Sequence, residues 1–151
     1  MQSSLPERKR LPHDVPDWVP DAAVFFITIN CKERGRTQLS KDPVAGALLE
    51  SVQFYQSTEK WWCHLLLLMP DHLHGLMTFS RQLQMRQDMA AWKSFHARRS
   101  GIIWQDGFFD HRIRHDAEFQ EKAAYIRNNP VRAGLVEAAA DWPYRFECQA
   151  K

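Results

Sequence analysis

The spacing of apolar positions changes several times along the chain, and each change marks an element. AAVFFITIN (residues 22–30) is β-branched and aromatic and predicts a first strand. The polar stretch KERGRTQ follows; Asp42 and Pro43 then open a helix to about Tyr55, with Val44, Leu48 and Val52 one turn apart. WWCHLLLLM (residues 61–69) predicts a second strand, apolar on both faces and therefore central. Pro70 and Asp71 make a short turn, and residues 72–79 read as a third strand, hairpin-paired with the second. Residues 81–99 lack Pro and Gly and suit a second helix ended by Ser100 and Gly101. GIIWQ and FFDHRIR flank Asp106-Gly107, a strong two-residue hairpin signal. Asp116 caps a third helix running to about Asn129 and closed by Pro130 and Gly134.

The order βαββα, then a strand or hairpin, then α, predicts an α+β fold: a ferredoxin-like antiparallel sheet carrying helices. With 151 residues, 44% of them hydrophobic, the chain suits one domain with a real core, residues 21–151. Residues 1–20 hold four of the eight prolines and read as an extended, Pro-rich basic arm. No apolar run is long enough for a membrane span, and the N-terminus has no apolar core of a signal peptide. Cys31, Cys63 and Cys148 are widely spaced, which predicts free thiols and a cytoplasmic setting.

A net charge of +2 says little, but its distribution says more. Arg8, Lys9 and Arg10 lie in the arm; Arg81, Arg86, Lys93, Arg98 and Arg99 share one segment; Arg112, Arg114, Arg127 and Arg132 follow. Guanidinium groups suit bidentate phosphate contacts, so a polyanionic partner competes with ordinary surface charge as the explanation.

His72 and His74 interrupt this apolar material. Burying an unpartnered imidazole costs about 2–7 kcal/mol, so a compensating interaction is expected. Residues two apart on a strand share a face, so His72, His74, Leu76 and Thr78 point one way, and Leu73, Gly75, Met77 and Phe79 point toward the core. Two such imidazoles can hold a first-row divalent ion if a further group joins them. They can equally be hydrogen-bonded core histidines or sit at a wet strand end.

In the third helix Phe119, Ala123 and Ile126 form the apolar stripe. Tyr125 lies ~120° from its centre and Asn129 ~80°, on the same side and one turn apart. A tyrosine there is not an obvious packing residue. Beside a metal its hydroxyl is a candidate nucleophile for a phosphodiester, and an amide oxygen from Asn129 would complete the ligand set.

MPDHLHGL followed by YIRNNPVRAGLV resembles the HUH single-tyrosine transposases, specifically their REP-associated tyrosine transposase branch. WQDGFFDHRIR and FFITIN fit as well, so the likeness spans roughly residues 22–146. It implies that His72 and His74 are the metal-binding pair, that Asn129 is the third ligand and that the ion is Mg²⁺ or Mn²⁺. It further implies that Tyr125 attacks single-stranded DNA to leave a 5′-phosphotyrosine and a free 3′-hydroxyl. The DNA would be a hairpin of palindromic repeats with a single-stranded flank. The protein would act as a monomer or homodimer, with the catalytic Tyr on the C-terminal helix. Lys93, Arg112, Arg114 and Arg127 are the candidate DNA contacts, and Trp104 could stack an unpaired base.

Two other readings compete. One is a domesticated, non-catalytic DNA-hairpin-binding protein; the other is a zinc hydrolase that adds His111 or Asp110 to the histidine pair. Tyrosine and asparagine one turn apart favour the strand transferase.

Overall fold

The computed structural model describes residues 23–80 and 84–148, so the arm at residues 1–20, and Arg81 of the basic segment, lie outside the described residues. In chain order the elements are β1 (Phe25–Asn30), α1 (Val44–Ser57), β2 (Trp61–Leu68), β3 (His72–Phe79), α2 (Met85–Ser100), β4 (Phe109–Arg112), α3 (Asp116–Arg132), a 3-10 turn (Ala139–Asp141) and β5 (Arg145–Glu147). The five strands form one sheet in the order β4-β1-β3-β2-β5, with every pairing antiparallel. The α+β, ferredoxin-like expectation is met.

The sheet is covered on both faces. On one, Ile27, Ile29, Leu66, Leu68, Leu73 and Met77 pack with Leu48 and Val52 of α1 and Met89 and Trp92 of α2. On the other, Val24, Phe26, Leu65, Leu67 and Leu76 pack with Phe119, Ala123 and Ile126 of α3 and with Trp142. The apolar stripe predicted for the third helix is the one α3 buries. The face of β3 that carries the histidines is therefore interior as well, roofed by α3. A bulge between Cys63 and Leu65 of β2 leaves His64 as the extra residue, and its Nε2 lies 3.0 Å from Thr78 Oγ1.

Several elements differ from the sequence expectation. The Asp106-Gly107 hairpin does not form. Residues on both sides of it pair instead with β1 and its extension: Trp104 bridges Cys31, the Gln105 N–H donates to Asn30 O, and Phe109 pairs with Thr28. Gly107, at φ 72°, supports a short excursion between the two pairings. A long strand edge already in place outcompetes a local two-residue turn.

His115, not Asp116, caps α3: its Nδ1 accepts the Glu118 N–H at 3.2 Å. Asp116 occupies the first turn, where its charge complements the helix dipole. Pro130 lies inside α3, which continues to Arg132, and its ring is buried. Gly101, in the left-handed region at φ 71°, ends α2 as expected. The three-residue β5 at the β2 edge is too short for its periodicity to be read in advance.

Candidate active site

Strand β3 delivers the histidines and β1 orients them. His74 stands opposite Thr28, and its Nδ1 lies 2.9 Å from the Thr28 hydroxyl. His72, one pleat away, has its Nδ1 2.7 Å from Asp71 Oδ1. The two imidazoles are 4.9 Å apart by ring centroid. Burial, then the neighbouring His72 and Arg34, push His74 down to about 3, so it is neutral near pH 7 and retains a lone pair for a ligand bond.

Asp71 is held by more than His72. The Gly35 N–H donates to its Oδ2 at 2.8 Å, and Arg34 Nε approaches the same oxygen at 3.4 Å. Partial burial alone would raise this carboxyl. The Gly35 N–H, His72 and Arg34 together hold it below the usual carboxylate range. The turn is fixed further by Cys31 N–H donating to Asp71 O and by the Gln38 and Leu39 N–H groups donating to Pro70 O. Because each Nδ1 is engaged, Nε2 of both rings has no hydrogen-bond partner among the described residues. A carboxylate behind one imidazole and a hydroxyl behind the other are outer-shell groups that suit metal-ligating histidines, so the donor set fits a divalent ion.

Helix α3 brings Tyr125 to this pair. Its ring meets His74 at 5.6 Å and 68°, and meets Phe26, itself stacked on His74, at 6.2 Å and 70°. Tyr125 is 41% exposed although its ring packs on interior groups. Its ring is held and its solvent access kept, which is what a nucleophile needs. Asn129 is half-buried one turn further along α3, and no hydrogen bond joins its side chain to the histidines. No group of three His, Cys, Asp or Glu able to hold a metal occurs among the described residues.

The other candidates are dispersed. His111 Nε2 is 2.8 Å from Glu118 Oε1, and Asp110 stands opposite Ile27, on the α1/α2 side of the sheet. Neither joins the histidine pair, which removes the ligand set of the zinc hydrolase reading. Lys93 Nζ donates to Gln105 O at 2.8 Å and Gly107 O at 2.6 Å, clamping the excursion before β4. The Trp104 indole N–H donates to Lys93 O, and its ring packs on the α1/α2-side core, away from Tyr125. Arg127 is engaged by Glu147, with Nε 3.1 Å from Oε1. Arg112 and Arg114 are exposed. Sequence reasoning missed Thr28 and Asp71 as supports for the histidines; Asp71, adjacent to His72, was the visible signal.

No family model matches the chain. A Haemophilus influenzae protein provisionally named a REP-associated tyrosine transposase is 28% identical over 146 residues, an alignment covering 80% of this chain and 77% of that relative. The REP-associated tyrosine transposase of Escherichia coli K12 is 26% identical over 128 residues, covering 80% and 73%. A solved REP-associated tyrosine transposase bound to a REP hairpin superposes with a TM-score of 0.73 at 21% identity, covering 87% of this chain and 81% of that one. A Deinococcus radiodurans structure provisionally described as a transposase superposes with a TM-score of 0.50 at 20% identity, covering 76% and 95%. These likenesses make the chain similar in sequence to the REP-associated tyrosine transposases, and it shares its fold with a solved protein of that name.

Proposed function

We propose that this protein is a metal-dependent strand transferase that cuts and rejoins single-stranded DNA beside a REP hairpin, with Tyr125 as nucleophile. The observation that carries the reading is the approach of the half-exposed Tyr125 ring to His74, 5.6 Å between centroids, beside the His72–His74 pair. The E. coli and H. influenzae relatives support the transposase activity, and the hairpin-bound neighbour supports the substrate. The free thiols of Cys31, Cys63 and Cys148 accord with a cytoplasmic setting.

The Tyr125 hydroxyl attacks the phosphorus of a phosphodiester and gives up its proton to water. The tyrosyl O–P bond forms, the bond to the 3′-oxygen breaks, and that oxygen leaves as a hydroxyl after taking a proton. Attack by a 3′-hydroxyl on the phosphotyrosine reverses these changes and joins strands. His72, His74 and Asn129 would hold Mg²⁺ or Mn²⁺, which supplies Lewis-acid polarisation of the phosphoryl oxygen when bound. Thr28 and Asp71 keep the imidazoles oriented, and the Phe26 and His74 rings fix the direction of the Tyr125 side chain.

The test uses labelled single-stranded oligonucleotides carrying a REP hairpin and its flank, with Mg²⁺ or Mn²⁺, on denaturing gels. A covalent protein–DNA band that requires metal and disappears in Tyr125→Phe is expected. Tight hairpin binding with no band under either metal would mean a domesticated binding protein.

A further inference from the structure

Of the four candidate DNA contacts singled out from sequence, Lys93 is engaged by two carbonyls and Arg127 by Glu147, while Arg112 and Arg114 are exposed. Two cations outside those four, Lys122 and Arg132, border Tyr125 and Phe26. Arg132 Cζ lies 5.1 Å from the centroid of the Tyr125 ring, and Lys122 Nζ lies 5.3 Å from that of Phe26, the ring stacked on His74. Neither forms an ion pair with any described residue.

Their spacing is regular. Lys122, Tyr125, Asn129 and Arg132 stand at i, i+3, i+7 and i+10, which on an α-helix is one stripe about 60–80° wide. At 1.5 Å per residue, the two cations are roughly 15 Å apart along the helix axis, with the nucleophile between them. Arg127 is roughly 160° around the helix from Tyr125, which explains why it meets β5 and not the site. The exposed Glu121 borders the stripe on its Arg132 edge, and Glu118, one turn before Lys122, lies on the stripe but is engaged by His111.

We infer that Lys122 and Arg132 form a two-point clamp that holds the DNA single strand across Tyr125, one cation on each side of the scissile phosphate. The inference rests on the strand-transferase reading. The half-buried Lys122 and the exposed Arg132 each rest against an aromatic face, a contact that costs little to exchange for a phosphate oxygen. Arg132 then has two tasks: it steadies the Tyr125 ring and binds the phosphate beside the one attacked. Both act by positioning.

Binding and chemistry are measured separately in the full-length protein. Anisotropy titrations with a REP hairpin carrying a single-stranded flank are run over a range of KCl in a Tyr125→Phe background, where no adduct forms. Lys122→Gln and Arg132→Gln are each expected to reduce the slope of log K against log salt by about 0.7, the share of one single-strand phosphate contact. Arg98→Gln, on the other face of the sheet, is the control and should leave the slope unchanged. With Tyr125 present, Arg132→Gln should slow single-turnover adduct formation at least tenfold, and Arg132→Lys should restore much of that rate. Unchanged salt slopes in both variants, or the same loss in Arg98→Gln, would overturn the clamp. If the wild type forms no Tyr125-dependent adduct, the strand-transferase reading fails, and the salt slopes still decide whether the two cations hold the strand.

Discussion

The two faces of the sheet solve different problems with similar material. Under α1 and α2 the interior is a ladder of large rings: Trp61 meets Trp92 at 6.1 Å, Trp92 meets Trp104 at 6.0 Å, and Phe79 packs edge-on to Trp61. Its histidine, His96, is fully buried and bonds inward, its Nε2 2.6 Å from Ser51 Oγ, which also accepts the Trp92 indole N–H. Under α3 the same kinds of group sit at a margin. Phe26, His74, His72 and Tyr125 form a chain of rings that begins in the core and ends at an exposed phenol. The comparison teaches that a histidine with one engaged nitrogen has meaning only through the setting of the other: buried and unpartnered in one case, beside a half-exposed tyrosine in the other.

Tyr125→Phe breaks the comparison most sharply. It should abolish covalent adduct formation while leaving the denaturant midpoint nearly unchanged, because the hydroxyl makes no hydrogen bond within the described residues. Activity without Tyr125 would falsify its role as nucleophile. Trp92→Ala does the opposite. Removing a fully buried indole from the α1/α2 face should cost about 3–5 kcal/mol in urea unfolding, with the histidine pair untouched. A loss under ~1 kcal/mol would mean that this face is not the stabilising one.

Asp71→Asn sharpens the comparison at the site itself. The substitution retains an acceptor beside His72 but removes the charge behind it. Calorimetric Mn²⁺ titration should then report about tenfold weaker binding, with little change in melting temperature. Equal affinity in the two proteins would reduce Asp71 to a turn residue.

The smallest effect is a pH dependence from the closed face. Burial, then Arg99, holds His96 down at about 4 against an ordinary 6.5. The unfolded chain therefore takes up a proton near pH 6.5 that the folded chain refuses until about 4. Stability present above pH 6.5 is lost as the pH falls through that window. Thermal melts from pH 7.5 to 4 should show this decline, and His96→Gln should make it shallower. A parallel curve in the variant would assign the decline to other groups.

Local periodicity was legible because it is encoded by neighbours. The strand at FFITIN, the α3 stripe of Phe119, Ala123 and Ile126, the shared face of His72 and His74, and the one-turn separation of Tyr125 from Asn129 follow from residues two to seven apart. Partner choice was not legible, because it depends on sheet order and register. Asp106-Gly107 is a good hairpin turn, yet the edge of β1 offered both flanking stretches a longer partner. Lys93 and Arg127 are exposed by pattern, yet packing brought two carbonyls to one and Glu147 to the other. The meeting of Tyr125 with His74 joins residues 51 positions apart. It was decided when α3 covered the face of β3 opposite α1 and α2, since only close packing across the sheet brings that ring, on that helix, against that strand.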